Sequence, residues 1–173
     1  TTVHARTMLR LSFVVLLLAL AGCAKPELSD TPVRAASAAE LAEFRAELGS
    51  RLSPAQLAAF DTALQELQLA GMDRGLTSAA ARADAMREQV HGKTVREVEI
   101  LGWRARRSRL QSEIAEMSAT LERDLKIRER QGAATSLTVT NRIQNVQDIL
   151  EKLRFNLAAT EQQLTAWNAP LSE

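Results

Sequence analysis

Tyrosine is absent from this 173-residue chain, aromatic residues make up 3% of it, and cysteine occurs once, at Cys23. One cysteine cannot build an intramolecular disulfide framework. With two histidines, His4 and His91, a metal site would have to be made from carboxylates almost alone. Neither charge dominates, with 22 Lys and Arg against 21 Asp and Glu, so no polyanionic partner such as a nucleic acid is implied. Strand-type alternation is nearly missing; Ala, Leu, Glu, Arg and Gln, all strong helix formers, fill most of the chain.

The cysteine stands in the most informative stretch. Residues 8–26 read MLRLSFVVLLLALAGCAKP, with Arg10 ahead of an apolar run from Leu11 to Ala21. A bilayer-spanning helix needs about 20 apolar residues, so this run suits a removed secretory signal, with Met8 as the expected start. Leu20-Ala21-Gly22-Cys23 looks like a bacterial lipobox. The resemblance implies removal of residues 1–22, a diacylglyceryl thioether on Cys23 and an acylated amino group. Ala24, where an aspartate would favour inner-membrane retention, implies the inner leaflet of the outer membrane with the domain facing the periplasm. Several acyl chains together make a lasting anchor. Cleavage would remove Arg6 and Arg10 and no acid, leaving the mature chain close to neutral.

Residues 24–36, AKPELSDTPVRAA, carry two prolines and no apolar period, and read as a flexible tether. Three short helices are expected over 37–92. Ser37 and Glu40 form a capping box before Leu41, Phe44 and Leu48, with Gly49 as the stop. Ser53, Pro54 and Gln56 open the second helix, whose stripe is Leu57, Phe60, Leu64 and Leu67 and whose end is Gly71. The third runs from Ser78 to about Val90 with Ala81, Ala85, Met86 and Val90 inward.

Gly92-Lys93-Thr94 invites comparison with a phosphate-binding loop. That loop needs a glycine five residues before its Gly-Lys, after a strand; Arg87 stands there, inside an expected helix. Thr94 and Glu97 form a capping box instead, so the tripeptide reads as a helix stop and start and no nucleotide is expected.

Two long helices follow, over 94–131 and 137–168. The first carries Val98, Leu101, Leu110, Ile114, Met117, Leu121 and Leu125, and the second Ile143, Val146, Leu150, Leu153, Leu157, Leu164 and Trp167. Joined by the short Gln-Gly-Ala-Ala-Thr-Ser linker at 131–136, they predict an antiparallel, coiled-coil-like hairpin. The Thr and Val alternation in 136–142 would also suit a short strand, but no second strand is in sight to pair with it.

Little catalytic chemistry is visible. The serines are scattered and several are explained as caps, no Gly-x-Ser-x-Gly elbow occurs, and Glu97/Glu99 and Glu113/Glu116 read as helix-surface charges. His91 ends a helix, where an imidazolium would face its negative end. The unusual cluster is Trp103 with Arg104, Arg106, Arg107 and Arg109, a possible binding surface for anionic headgroups or an acidic partner. The competing reading pairs Arg104 and Arg107 with Glu97, Glu99 or carboxylates of the short helices while Trp103 fills a junction. Gly102, mid-helix, then marks the close approach of another helix.

The lipobox, the stretch LSPAQLAAFDTALQEL (52–67) and GKTVREVEILGWRARRSRLQSEIAEM (92–117) together resemble a family of uncharacterised bacterial lipoproteins. There a Leu-Ser helix carrying a Phe precedes a Gly-Lys-Thr-x-x-Glu motif that opens a long charged helix. Ile100-Leu101-Gly102-Trp103 departs from the small and charged residues of that pattern. The resemblance implies envelope location and brings no activity or catalytic residue. The expected molecule is an all-α periplasmic lipoprotein, non-enzymatic and without a cofactor, serving as a protein-interaction or envelope-structural module. Alternatives are an immunity-type lipoprotein that neutralises a periplasmic toxin, and a lipid- or peptidoglycan-binding module using Trp103 and its arginines.

Overall fold

Helix-forming composition and five capped starts produce five α-helices in the computed structural model, which describes residues 28–169. They are α1 (Ala38–Gly49), α2 (Pro54–Asp73), α3 (Ala79–Val90), α4 (Val95–Gln131) and α5 (Leu137–Ala166), with 3-10 turns at Leu28–Asp30 and Gly132–Ala134. The expected signal peptide, Cys23 and the start of the tether lie outside the described residues. The described chain is all-helical, as expected. Residues 137–142 belong to α5 rather than to a strand, capped by Ser136, whose side chain accepts from the Val139 N–H.

Each start is fixed by local chemistry. Ser53 with Gln56, and Thr94 with Glu97, form complete capping boxes, each satisfying two backbone N–H groups that a helix otherwise leaves without partners. Ser37 and Ser78 cap α1 and α3. Two expected stops differ. Gly49 and Gly71 lie inside their helices, and α2 runs on to Asp73 before Gly75 takes φ +79°. Gly71 is buried because the Arg82 side chain of α3 lies over it, 3.1 Å from where a Cβ would stand.

The body of the molecule packs α1, α2 and α3 around the first turns of α4. Its core unites Phe44, Leu48, Phe60, Leu64, Leu67, Met86, Val90, Val95 and Val98, with Phe44 and Phe60 meeting edge to face at 6.3 Å. Val33 and Ala35 belong to this core at 1% exposure each, which corrects the tether reading for its second half. Val33 N–H donates to Lys93 O at 2.7 Å, Gly92 N–H to Val33 O at 2.9 Å and Val95 N–H to Thr31 O at 3.0 Å. The α3–α4 junction, opened by Gly92 at φ +76°, exposes backbone groups that an extended strip can pair with, and Pro32 and Thr94 form an isolated antiparallel bridge there. A single alternating Val33/Ala35 pair was too short to register as a buried strip.

Beyond the body, α4 and α5 run antiparallel as the expected hairpin, with Arg107 opposite Glu161 and Asp124 opposite Arg142. Val139, Ile143, Val146, Leu150 and Leu164 are buried on α5. The seven-residue gap between Leu157 and Leu164 is filled by Thr160, 1% exposed, whose hydroxyl donates to Asn156 O at 2.8 Å. On α4 the seam is less regular than a strict heptad. Ile114, Met117, Leu121 and Leu125 are only half-buried, while Asp124 is 4% exposed. Arg142 holds that carboxylate, its Nε donating at 2.6 Å, and pulls the Asp124 pKa below the usual range.

Candidate functional site

The arginine cluster forms where α2 crosses α4 and α5 returns. Gly102 makes the crossing possible: a Cβ there would sit 2.5 Å from the Ala63 Cβ and 2.7 Å from the Ala63 carbonyl oxygen. That approach carries Glu66, 6% exposed, against Arg109, which grips both its carboxylate oxygens at 2.9 and 2.7 Å and reaches Glu113 at 2.7 Å. Hydrogen bonding to Glu66 raises the Arg109 pKa, fixing the guanidinium as a permanent cation. Arg107 donates to Glu161 of α5 at 2.8 Å. Arg106 lies 5.1 Å over the Trp103 ring, and Trp103 meets Trp167 edge to face at 6.3 Å.

The candidate residues are thus brought together, but much of the cluster is turned inward. Trp103 fills the junction, and its indole Nε1 is buried with no hydrogen-bond partner among the described residues. The carboxylates that answer Arg107 and Arg109 are Glu161, Glu66 and Glu113. Glu97, a surface charge in the sequence reading, is occupied with its cap, which holds its pKa below the usual carboxylate range.

Arg104 lines a cleft of about 540 Å³ between α2 and α4, with Leu67, Ala70, Arg74, Leu101 and Ser108. A second cleft, about 650 Å³, opens near the base of the hairpin, where Ser29, Leu52, Gln56, Val95, Glu99 and Trp167 meet. Glu99 is half-buried there rather than a solvated surface charge, because α2 passes over its face of α4. Burial pushes its pKa up to about 7, opposed by the nearby Arg96. Arg96 in turn donates to the Trp167 carbonyl at 3.3 Å.

His91 caps α3, and its Nδ1 accepts the Ala35 N–H at 3.0 Å, so its ring ties the docked strip to the end of that helix. Glu66, Glu161 and Trp167 escaped the sequence reading as members of the junction. Glu66 stands one residue before Leu67 of the buried stripe, and the expected helix crossing at Gly102 was the signal that a second face of α2 is covered. Among the described residues no group of three His, Cys, Asp or Glu side chains could hold a metal, and no helix is long and apolar enough to cross a membrane. Compared with protein-family models, curated proteins and solved structures, the chain matches none.

Proposed function

We propose that the protein is a lipid-anchored module of the bacterial envelope, held through Cys23 at the outer membrane with its helical domain in the periplasm, and that it acts without catalysis by presenting its hairpin to another protein. The lipobox-like Leu20-Ala21-Gly22-Cys23 supports the anchor. The observation that carries the interaction is the outer face of α5. Leu137 and Phe155, each 74% exposed, stand 18 residues apart, about five helical turns, on the side opposite Val139, Val146 and Leu164. Ile149, 43% exposed, lies about a third of a turn round the helix from them, between that face and the seam. An accessible aromatic on a preorganised helix is the kind of residue that anchors protein interfaces. An immunity-type role is this same reading with a toxin as the partner.

A second reading places an anionic lipid headgroup in the cleft beside Arg104, where Arg74 and Arg104 outnumber the Asp73 carboxylate above the apolar walls of Leu67 and Leu101. Photo-crosslinking in intact cells separates the two, with a photoreactive side chain at position 155 or at position 108 on the cleft. A single dominant protein adduct from 155 is the expected result. Lipid or glycan adducts from 108, with nothing above background from 155, would overturn the protein-partner reading and support the second.

A further inference from the structure

The carboxylates of this protein are answered almost wherever they are buried. Glu66 is held by Arg109, Asp124 by Arg142, and the half-buried Glu161 by Arg107. Glu99 differs. It is half-buried in the cleft of about 650 Å³, and among the described residues it has neither an ion pair nor a hydrogen bond. A carboxylate partly removed from water, with only the nearby Arg96 to offset the cost, is the kind of group that a cationic ligand in a cleft would stabilise.

We propose that this cleft binds a primary alkylammonium ion, its N–H groups on the Glu99 carboxylate and its aliphatic stem along Leu52, Ala55, Ala59 and Val95. The walls fix the ligand class. Leu52, Ala55 and Ala59 of the α2 side and Val95 of α4 are apolar, so the body of the ligand is apolar. An ammonium group has three N–H donors and no acceptor. Glu99 takes one or two of them, and Gln163, whose side chain carries a carbonyl acceptor, lines the same cleft. Gln56 is less available, since its Oε1 already accepts from Ser53 N–H and Oγ at 3.0 and 2.8 Å. Trp167 adds an aromatic ring, which attracts a cation. A metal cation fits poorly, because no three-ligand group stands in the described residues. An anion would face the carboxylate directly.

The charged groups around Glu99 set the pH dependence. Arg96 on α4 is the cation that acts on it; the lining from α2 is Ala55, Gln56 and Ala59, that from α5 and its C-terminal cap is Gln163 and Trp167, and the amino-terminal turn contributes Ser29, none of them charged. With its pKa raised to about 7, the carboxyl is largely protonated in mild acid and must ionise to hold a cation. Affinity therefore rises with pH through neutrality.

Calorimetric titration of the full chain with n-hexylamine, n-hexanol and hexanoate tests the inference. Saturable binding of hexylamine is expected, at least about tenfold tighter than hexanol, with no binding of hexanoate. Hexylamine affinity should rise from about pH 5 to about pH 8, while that of hexanol stays flat. Glu99→Gln, matched in shape, should weaken hexylamine about tenfold and leave hexanol within about twofold. Ala55→Trp, on the exposed rim, should block both without touching the core. Blocked lysine methylamide as a further titrant assigns the source: tighter binding than hexylamine points to a lysyl side chain of a peptide, weaker binding to a free amine. Equal affinity for hexylamine and hexanol, an unaffected Glu99→Gln protein, or no saturable heat with hexylamine would each overturn the proposal. None of these outcomes depends on the hairpin partner, so this site and the interaction face stand or fall separately.

Discussion

The two halves of α4 live in different surroundings. Its first turns, from Val95 to Leu101, are wrapped by α2, by the docked strip at 31–35 and by the end of α3, and Val95 and Val98 are 4% and 0% exposed. Beyond Leu110 its packing partner is α5, and its apolar residues there are only half-buried. One helix thus serves as the central post of a core and then as one strand of a two-helix rod about 30 Å long. The body keeps its shape through many mutually dependent contacts. The rod keeps its shape through a single seam, pinned by the Asp124–Arg142 pair, and leaves the outer face of α5 free.

Truncation in the body should show the largest effect. Phe60→Ala removes a ring that is 0% exposed and in contact with Phe44, and should cost about 3–5 kcal/mol, read as a drop in the denaturant midpoint. The same loss should loosen amide protection across α1, α2 and α3 together. Amides around Ile143 and Leu150 should exchange faster than those around Phe60 and Leu67 in the parent protein, since the rod can open without the body. Equal protection in both regions would break the comparison.

Gly102→Ala tests the junction between the halves. The added methyl group meets both the Cβ and the carbonyl oxygen of Ala63, so relief requires α2 to move away from α4, at about 1–3 kcal/mol. Because the carbonyl remains, Ala63→Gly should fail to rescue the variant in thermal melts. Full rescue would mean that side chains alone set the crossing distance. In the rod, Ile143→Val should cost about 0.5–1.5 kcal/mol and leave protection in the body unchanged. A matching loss in the body would show that the seam and the core unfold as one.

How much of this contrast could be read in advance follows from the range of each signal. The caps at Ser53 and Thr94, and the stripes Leu57–Phe60–Leu64–Leu67 and Ile143–Val146–Leu150, act within a few residues, and the sequence displays them directly. Gly102 was legible as a crossing because a mid-helix glycine needs a reason. What could not be read was which side chain faces across the crossing. Arg109 rather than Arg104 takes Glu66, and Glu99 turns into a cleft rather than to solvent, because the angle of α2 over α4 decides both. The docked strip at 31–35 was hidden for a different reason: its hydrogen bonds go to a helix junction sixty residues away, and two prolines nearby imitate a linker.

Glu99 supplies a smaller effect with a defined sign. Its folded pKa, about 7, lies above the ordinary glutamate value, so the folded state holds its proton more tightly than the unfolded chain does. Its contribution therefore weakens as pH rises from the ordinary carboxylate range to about 7 and is level above that. Asp124 and Glu97, whose pKa values are lowered by Arg142 and by the Thr94 cap, act in the opposite sense and lose their contributions as pH falls through the acid range. Glu99→Gln should flatten the melting temperature between mild acid and neutrality and leave the acid limb intact. A flattened acid limb would assign that limb to Glu99 rather than to Asp124 and Glu97.

The smallest stability effect belongs to the residue on which the interaction reading leans most. Phe155 is 74% exposed on the side of α5 away from the seam, with Glu151 and Lys152 one turn before it and Ala158 and Ala159 one turn after. Little packing is lost when it is shortened, so Phe155→Ser should change stability by no more than about 0.5 kcal/mol. Chains are not obliged to keep such a side chain in water, since serine at this position would serve the helix about as well. The variant therefore separates two accounts of the rod. If the outer face of α5 meets a protein, crosslinks from neighbouring exposed positions such as 151 should be lost in Phe155→Ser while melting and amide protection stay at parental values. If those crosslinks persist, the ring is an incidental surface residue and the rod serves as a spacer. A loss of more than about 1 kcal/mol would show instead that Phe155 packs within the protein, and the free face on which the comparison rests would not exist.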